Sequence, residues 1–285
     1  MGLSEKEFLE LDEKAKEMRH LILDTVQWAG GAHVGGSLSA ADILTLLYYK
    51  YLNIDPGKPD WEDRDRFVLS KGHIGVGLAP FLADKGYIDR ELLKTYNHTG
   101  SSLGMHLDKN KVPGLDASTG SLGHGLPISL GMALAAKQRG KSYKTWCLLG
   151  DGECNEGSVW EAAMAASHHK ADNLIAMVDR NRCMMDGSTE DVMALEPFAD
   201  KWRAFGFNVL EVDGHDLKAL AEAMETALEA GDKPTVIICQ TVKGCGVESI
   251  SGDYRYHYAS FDPEKTRLFK EEISSYHAKR REEKK

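Results

Sequence analysis

The stretch at residues 148–181 reads LLGDGECNEGSVWEAAMAASHHKADNLIAMVDRN and contains one strand–turn–helix–strand unit. The apolar runs at 145–149 and 174–179 have the length of buried strands, and residues 156–169 between them have helical spacing of apolar side chains. A helix that joins two such strands predicts a right-handed crossover, which makes the strands parallel. The glycines beside Asp151 indicate a tight turn where the first strand ends.

Outside this unit the same alternation continues. Further strands are expected at 65–70, 207–212 and 235–240. Helical patterns occupy 5–29, 37–52, 192–205 and 216–230, and a glycine-rich segment at 120–138 turns into a helix. Strands that alternate with helices predict the α/β class, with a doubly wound, mainly parallel sheet covered by helices on both faces. We predict one domain over 1–260 and a charged C-terminal helix or tail over 261–285, in which KRREEKK is solvated.

Composition excludes several classes of protein. The net charge is −9 and no basic patch offsets it, which argues against a nucleic-acid partner or an anionic membrane surface. The N-terminus is charged throughout, unlike a signal peptide, and no apolar run has the length of a membrane span. Five cysteines without a CxxC pair indicate reduced thiols in a cytoplasmic protein and no zinc site of that kind.

Asp151 and Asn181 follow two successive predicted strands. Ligands of open α/β sheets bind at the carboxyl ends of the strands, so both side chains are expected at one edge if the strands are neighbours. One carboxylate and one amide oxygen suit a divalent ion that also takes oxygens from a bound diphosphate, and the N-terminus of the helix beginning near Glu156 would face a phosphate. The alternative is a helix cap at Asp151 and a turn at Asn181.

The chain resembles the transketolase family in several motifs that occur in the family's order. They are GGAHVGGSLSAADIL, LSKGHIGVGL, STGSLGHGLPISLGMALA, the GDG segment that ends at Asn181, and TVKGCG. GDG followed by asparagine about thirty residues later is similar to the fingerprint of thiamine diphosphate enzymes, and the chain resembles the N-terminal half of transketolase. The resemblance implies the diphosphate-binding domain of that family.

The resemblance implies a cofactor clamp. Thiamine diphosphate would bind with Mg²⁺, for which Ca²⁺ or Mn²⁺ could substitute. The metal would be held by Asp151, Asn181 and the backbone carbonyl of Cys183. Further cofactor-binding residues implied in this way are Gly36, Lys71, His73, Gly120, Ser121, Leu122, Gly150, Gly152, Glu156, Lys243 and His257. Gly36 departs from the family, because a serine often stands there.

Four histidines are implied to be catalytic. His33 and His106 would line the donor ketose site, and His73 would lie near the diphosphate and the reacting carbons. His257 matches by spacing, although YRYHYAS lacks the usual Trp-His-Gly. Glu156 is implied to be catalytic as well, at the subunit interface in a network between two cofactors. A structural or solvated role is the alternative for each of these residues.

The implied activity is transfer of a two-carbon ketol unit from a ketose phosphate to an aldose phosphate. The family's pyrimidine-binding domain has no counterpart in these 285 residues. We therefore expect one subunit of a split transketolase, with a companion C-terminal subunit in an α₂β₂ assembly. The alternatives are a subunit of a 2-oxo acid dehydrogenase or of a deoxyxylulose phosphate synthase type enzyme, or a non-catalytic assembly or regulatory protein that retains the fold.

Overall fold

The fold is built on one parallel sheet of five strands. The structure is a computed structural model that describes residues 2–283. The strands are β1 (Arg66–Leu69), β2 (Thr145–Gly150), β3 (Leu174–Arg180), β4 (Asn208–Asp213) and β5 (Thr235–Gln240). Their order across the sheet is β1-β2-β3-β5-β4, and every neighbouring pair is parallel. The predicted α/β class is confirmed.

Helices connect the strands and cover the sheet. They are α1 (Glu5–Trp28), α2 (Gly35–Ser39), α3 (Ala41–Leu46), α4 (Gly75–Lys85), α5 (Gly125–Gln138), α6 (Gly157–His168), α7 (Thr189–Val192), α8 (Phe198–Ala204), α9 (Leu217–Glu229) and α10 (Pro263–Glu283). Ser4 and Glu7 form the capping box that begins α1. None of the described helices is long and apolar enough to cross a membrane.

Alternate side chains of the strands divide the interior into two cores. In β2, Trp146 and Leu148 face a core that includes residues of α1, α3, α4 and α9. Cys147 and Leu149 face the opposite core, which includes residues of α5, α6 and α8. Because both faces are covered, β2 and β3 are buried along their whole length. Such a rigid sheet fixes the position of whatever follows the strand ends.

Two predicted helices are interrupted. The expected helix at 192–205 is wrong, because only the single turn α7 and the short α8 form, and residues 193–197 between them are not helical. Pro197 explains this break, since the residue before a proline avoids the helical conformation. The expected helix at 37–52 forms in pieces, as α2, α3 and one wider π-helical turn at Leu47–Tyr51.

The predicted solvated C-terminal tail is wrong for Arg280. Helix α10 packs along α1 and buries Phe269 and Ile273 in the first core. Arg280 is only 7% exposed, and its guanidinium contacts the carboxylates of Asp12 and Asp42. These acids lie far away in sequence, so nothing local in KRREEKK indicated the pairing. Lys284 and Lys285, the end of that run, lie outside the described residues.

Candidate active site

Asp151 and Asn181 lie at the carboxyl ends of two neighbouring strands. Strands β2 and β3 pair in parallel, with Gly150 opposite Asp179. Asp151 is the next residue after β2, and Asn181 is the next residue after β3. Both side chains are buried, at 2% and 7% exposure. The sequence-based expectation that they meet at one sheet edge is therefore confirmed.

Asp151 is held by backbone amides and one arginine. Its Oδ1 accepts a hydrogen bond from the Gly152 amide at 2.7 Å, and its Oδ2 accepts from the Arg182 amide at 2.6 Å. The Arg180 guanidinium donates to Oδ2 at 3.2 Å. Burial, followed by the nearby charge of Asp179, raises the pKa of Asp151 despite these donors. These bonds fix the orientation of the Asp151 carboxylate, but they do not fully offset the cost of burying its negative charge.

Asn181 is oriented by its hydrogen bonds. Its Nδ2 donates to Asp179 Oδ2 at 3.2 Å and to Ser39 Oγ at 3.3 Å. The Cys183 amide donates to Asn181 Oδ1 at 3.1 Å. The amide nitrogen therefore faces the buried carboxylate, and the oxygen faces the backbone turn that carries Cys183.

Asp179 is a buried carboxylate surrounded by donors. It accepts from the Lys71 ammonium at 2.5 Å, from Ser39 Oγ at 2.7 Å and from the Thr241 hydroxyl. Burial opposes ionisation, but Lys71 and the hydroxyl donors outweigh it and keep the pKa of Asp179 below its ordinary value. Lys71 was expected near the active centre, whereas sequence reasoning missed Asp179. A charged residue in the otherwise apolar strand NLIAMVD was the signal that could have found it.

Lys243 lies beside the predicted carbonyl ligand. Its Nζ donates to the carbonyl oxygens of Cys183 at 3.3 Å and of Met184 at 3.0 Å, and lies 3.1 Å from His257 Nδ1. Burial, followed by the charge of Lys71, lowers the pKa of Lys243 to about 8. The ammonium therefore loses its proton more readily than an exposed lysine.

One cavity of about 200 Å³ brings most of the predicted site residues together. Those that line it are Gly36, Lys71, His73, Leu122, Gly150, Asp151, Gly152, Glu156, Asn181, Cys183, Lys243 and His257. Glu153, Asn155, Met184 and Met185 also line it and were not predicted. The predicted residues outside its lining are His33, His106, Gly120 and Ser121.

Three histidines form a contact cluster at the cavity. The ring centroid of His33 lies 5.1 Å from those of both His73 and His257, and the last two rings stack at 5.2 Å. Burial is the main cause that lowers all three pKa values, to about 4 for His33, to about 3 for His257 and well below the ordinary value for His73. Nearby histidines and lysines add to this effect, so the imidazoles are neutral near pH 7. His33 Nδ1 is buried and has no partner among the described residues.

The remaining predicted residues lie at the edge of the site. His106 is exposed and packs close to Gly120, where an added Cβ would come within 3.1 Å of the imidazole. Glu156 is exposed, and no hydrogen bond or ion pair to its carboxylate is found within residues 2–283. It precedes α6 as its N-cap residue but makes no capping bond there. Both side chains are therefore accessible to a bound ligand or a partner chain.

Sequence reasoning also missed Glu153. This buried carboxylate accepts from the Gly123 amide at 2.9 Å, from the Gly150 amide at 3.0 Å and from the Ser70 hydroxyl. These hydrogen bonds join the end of β1, the loop before α5 and the end of β2 at the cavity wall. Its position in GDGE, an acid between a glycine turn and a helix, was the available signal.

The surroundings of Gly36 are tight. A Cβ at this position would lie 3.2 Å from Ile74 Cγ2 and 3.3 Å from Lys71 Nζ. A serine at this position would require small shifts of Ile74 and of the end of Lys71, the lysine that pairs with Asp179. At Gly150, by contrast, the nearest atoms to an added Cβ lie 3.8 Å away, so the cavity side of this turn is open.

Comparison with known proteins gives the family. Residues 11–280 match the model described as "Transketolase, thiamine diphosphate binding domain". The chain belongs to the transketolase family. A solved transketolase from Campylobacter jejuni superposes with a TM-score of 0.88 at 34% identity, over 93% of this chain and 42% of that one. The chain thus spans less than half of that transketolase.

Relatives of similar length are named as separate transketolase subunits. A 6-deoxy-6-sulfo-D-fructose transketolase subunit from Clostridium sp. (strain MSTE9) is 43% identical over 87% of this chain and 90% of its own. An apulose-4-phosphate transketolase subunit from Actinobacillus succinogenes is 41% identical over 93% of this chain and 96% of its own. The expectations of a transketolase subunit and of a thiamine diphosphate-binding domain are confirmed.

Proposed function

We propose that this chain forms the diphosphate-binding half of a two-chain transketolase, which moves a two-carbon ketol unit from a ketose phosphate to an aldose phosphate. The observation that carries the proposal is the joint position of Asp151 and Asn181 at adjacent strand ends above one cavity. Lys71, His73 and His257 line the same cavity. A metal–diphosphate clamp and a set of neutral imidazoles are thereby available at one place.

The donor set fits Mg²⁺. Asp151, Asn181 Oδ1 and the Cys183 carbonyl are the hard oxygen ligands that Mg²⁺ and Ca²⁺ prefer, with the diphosphate supplying more. The raised pKa of Asp151 supports the same assignment, because a divalent cation would compensate the buried negative charge. The Asn181 amide nitrogen is bonded to Asp179 and is therefore turned away from the proposed metal position. The amide oxygen is left to face the ion. Lys243 would share the Cys183 carbonyl with the ion.

The histidines would position the donor sugar. When bound, thiamine diphosphate supplies the nucleophilic carbon and the electron sink of the reaction. His33 and His73 are neutral, so each can donate one hydrogen bond and accept another from sugar hydroxyls. His257 is neutral as well, but its Nδ1 already accepts from Lys243, so it can only donate to the sugar through Nε2. The unpartnered Nδ1 of His33 is one such position. We place His106 against the donor as well, because it is exposed beside Gly120.

The proposal requires a companion chain. It would carry the pyrimidine-binding domain, and the resulting assembly would be α₂β₂ with twofold symmetry. The Glu156 carboxylate is exposed at the cavity edge and has no partner within residues 2–283, which suits the predicted interface role. The names of the relatives suggest a donor with an anionic group at its far end, a phosphate or a sulfonate. Five cysteines without a disulfide fit the reducing cytoplasm, where we place the protein.

Titration with the companion chain tests the proposal. The purified protein is expected to show no ketol transfer by itself and full transfer at one equivalent of the companion, in a coupled assay with ketose and aldose phosphates. Light scattering on the same samples should give the mass of two copies of each chain. Full turnover by the 285-residue chain without the companion would contradict the two-chain function.

A further inference from the structure

Packing, rather than a hydrogen bond, sets the orientation of the His33 ring. Its Nδ1 atom is buried without a partner, and no hydrogen bond to this imidazole is found within residues 2–283. A histidine that is to contact a sugar must keep its nitrogens aimed at the hydroxyls, because a hydrogen bond weakens steeply as it bends. The side chains around His33 therefore decide whether its ring is held in a usable direction.

Tyr258 is one of these neighbours. Its ring centroid lies 5.2 Å from that of His33, with the planes at 87°, and the ring of His257 meets the same imidazole at 5.1 Å and 88°. Such edge-to-face contacts are a favourable arrangement of two rings. Tyr258 has extended backbone angles, φ −130° and ψ 129°. Successive side chains of an extended segment point in opposite directions, so the two rings approach His33 along different lines.

Backbone pairing fixes the segment of Tyr258 to the segment of His33. The Ala32 amide donates to the Ala259 carbonyl at 3.0 Å, and the Ala259 amide donates to the Ala32 carbonyl at 3.1 Å. The Tyr258 hydroxyl donates to the Gly31 carbonyl at 3.0 Å. An added Cβ at Gly31 would lie 3.1 Å from the tyrosine ring, so the glycine leaves room for that ring. Tyr258 is thus fixed both through the neighbouring backbone and at its hydroxyl.

We propose that Tyr258 is a positioning residue that holds the His33 imidazole in the direction required for contact with the donor sugar. The kinetic consequence rests on the proposed ketol transfer, whereas the ring contact exists without it. In the family motif Trp-His-Gly a glycine follows the histidine, and a glycine has no side chain for this contact. The side chain of Tyr258 is 46% exposed, so it does not fill the core. Its effect on His33 can therefore be measured separately from its effect on folding.

The surroundings of His33 supply a measurable signature. Burial, followed by the charges of His106 and Lys243, lowers the pKa of His33 to about 4. The side chains in ring contact with it are His73, His257 and Tyr258. Removal of the tyrosine ring would let water reach the imidazole, which raises the pKa of His33 towards its ordinary value of 6.5. A residue that does not hold His33 would leave that pKa unchanged.

Nuclear magnetic resonance on the full chain tests the contact without any turnover. In the wild type, a nuclear Overhauser effect is expected between the ring protons of Tyr258 and His33, and its absence would overturn the proposal. Tyr258→Ala should raise the titration midpoint of His33 by about one pH unit or more, whereas Tyr258→Phe keeps the ring and should stay close to the wild type. Tyr254→Ala, at an exposed position of the same segment, is the control and should leave the midpoint unchanged. An unmoved midpoint in folded Tyr258→Ala would also overturn the proposal.

A double-variant cycle in the enzyme assembled with its companion tests the positioning. Tyr258→Ala should lower kcat/KM for the ketose phosphate about three- to ten-fold, with nearly unchanged affinity for thiamine diphosphate and Mg²⁺. If Tyr258 acts through His33, adding Tyr258→Ala to His33→Asn should cause little further loss, because the shared interaction is already gone. Losses that multiply, or a loss in Tyr258→Ala that is confined to cofactor affinity, would contradict a positioning role.

The two kinds of measurement separate this inference from the proposed function. Absence of ketol transfer in the assembled wild type would count against the two-chain transketolase, while the resonance data would still decide whether Tyr258 holds His33. Normal transfer with no response to Tyr258→Ala would leave the transketolase function intact and would overturn the inference.

Discussion

The Asn181 side-chain amide donates to Asp179 Oδ2 across 3.2 Å, and this contact decides which end of the amide faces the cofactor cavity. A second carboxylate two residues before the proposed metal ligand Asn181 would add to the negative charge of Asp151 at the site. Here Lys71 neutralises Asp179 at 2.5 Å, with only 2% exposure of the lysine side chain. The pair therefore orients Asn181 without adding a free negative charge.

Replacement of Asp179 tests this orientation. Asp179→Asn leaves the Lys71 ammonium buried without its counter-charge, so the free energy of unfolding should fall by about 3 kcal/mol or more. The substituted side chain can turn its amide nitrogen, which is a donor, toward the Asn181 amide nitrogen, which then has no acceptor there. Asn181 would lose its orientation, and the Mg²⁺-dependent affinity for the cofactor should fall. Urea denaturation and calorimetry measure the two effects. Glu211→Gln, an exposed strand position paired with Arg203, is the control and should cost less than about 1 kcal/mol.

Replacement of Asp151 tests the metal clamp. Asp151→Asn keeps the size of the side chain but removes the charge that would contact the proposed divalent ion. The rise in melting temperature caused by Mg²⁺ with thiamine diphosphate should disappear in the variant assembled with the companion chain. Asp186→Asn, an exposed acid in the following loop, should keep the full rise. An intact rise in Asp151→Asn would exclude this residue from the clamp.

Replacement of His106 separates substrate contact from cofactor binding. His106 is exposed and lies outside the cavity lining, so His106→Ala should leave cofactor affinity nearly unchanged. Loss of the proposed hydrogen bond to the donor sugar should lower kcat/KM about ten-fold or more. His98→Ala, whose ring contacts the Trp28 carbonyl, should have normal kinetics. Normal turnover with weakened cofactor binding in His106→Ala would contradict the proposal that His106 contacts the substrate and not the cofactor.

The buried histidines predict a pH dependence of stability. The ordinary histidine pKa of 6.5 falls to about 4 for His33 and to about 3 for His257 in the folded chain. Between these values the unfolded chain binds more protons, so stability rises with pH and is lost as the pH falls from about 6.5 towards 4. Each histidine adds at most about 1.4 kcal/mol per pH unit.

Denaturation between pH 4 and pH 7 measures this slope. The double variant His33→Asn, His257→Asn should have a shallower slope than the wild type in the same window. His98→Asn, at an exposed position, is the control variant. Identical slopes for all three proteins would mean that the two site histidines titrate normally.

The C-terminal arginine provides a stability test. Arg280→Ala leaves Asp12 and Asp42 without a shared buried partner, so the free energy of unfolding should fall by about 3–5 kcal/mol. Arg267→Ala, on the same helix and paired with Glu271 at the surface, should change it by less than about 0.5 kcal/mol. Urea denaturation of both variants measures the difference. Similar small losses would show that Arg280 is solvated after all.

The sequence by itself determined the parallel sheet and the placement of Asp151 and Asn181. Both follow from local rules: apolar runs of strand length bury themselves, and the crossover between parallel strands brings their carboxyl ends to one edge. The histidines were found through resemblance, since spacing alone did not connect His33 with His73 and His257. Pro197 was a local signal for the break before α8 that the apolar pattern obscured.

Only the tertiary structure decided which charges are buried together. Asp179 meets Lys71 across 108 residues, and Arg280 meets Asp12 across 268. Glu153 likewise joins the ends of β1 and β2 to the loop before α5. Such pairs depend on where helices and strands come together in the fold, because an ion pair forms only when two charged groups lie within a few ångströms of each other. The spacing of residues along the chain does not indicate which side chains come that close.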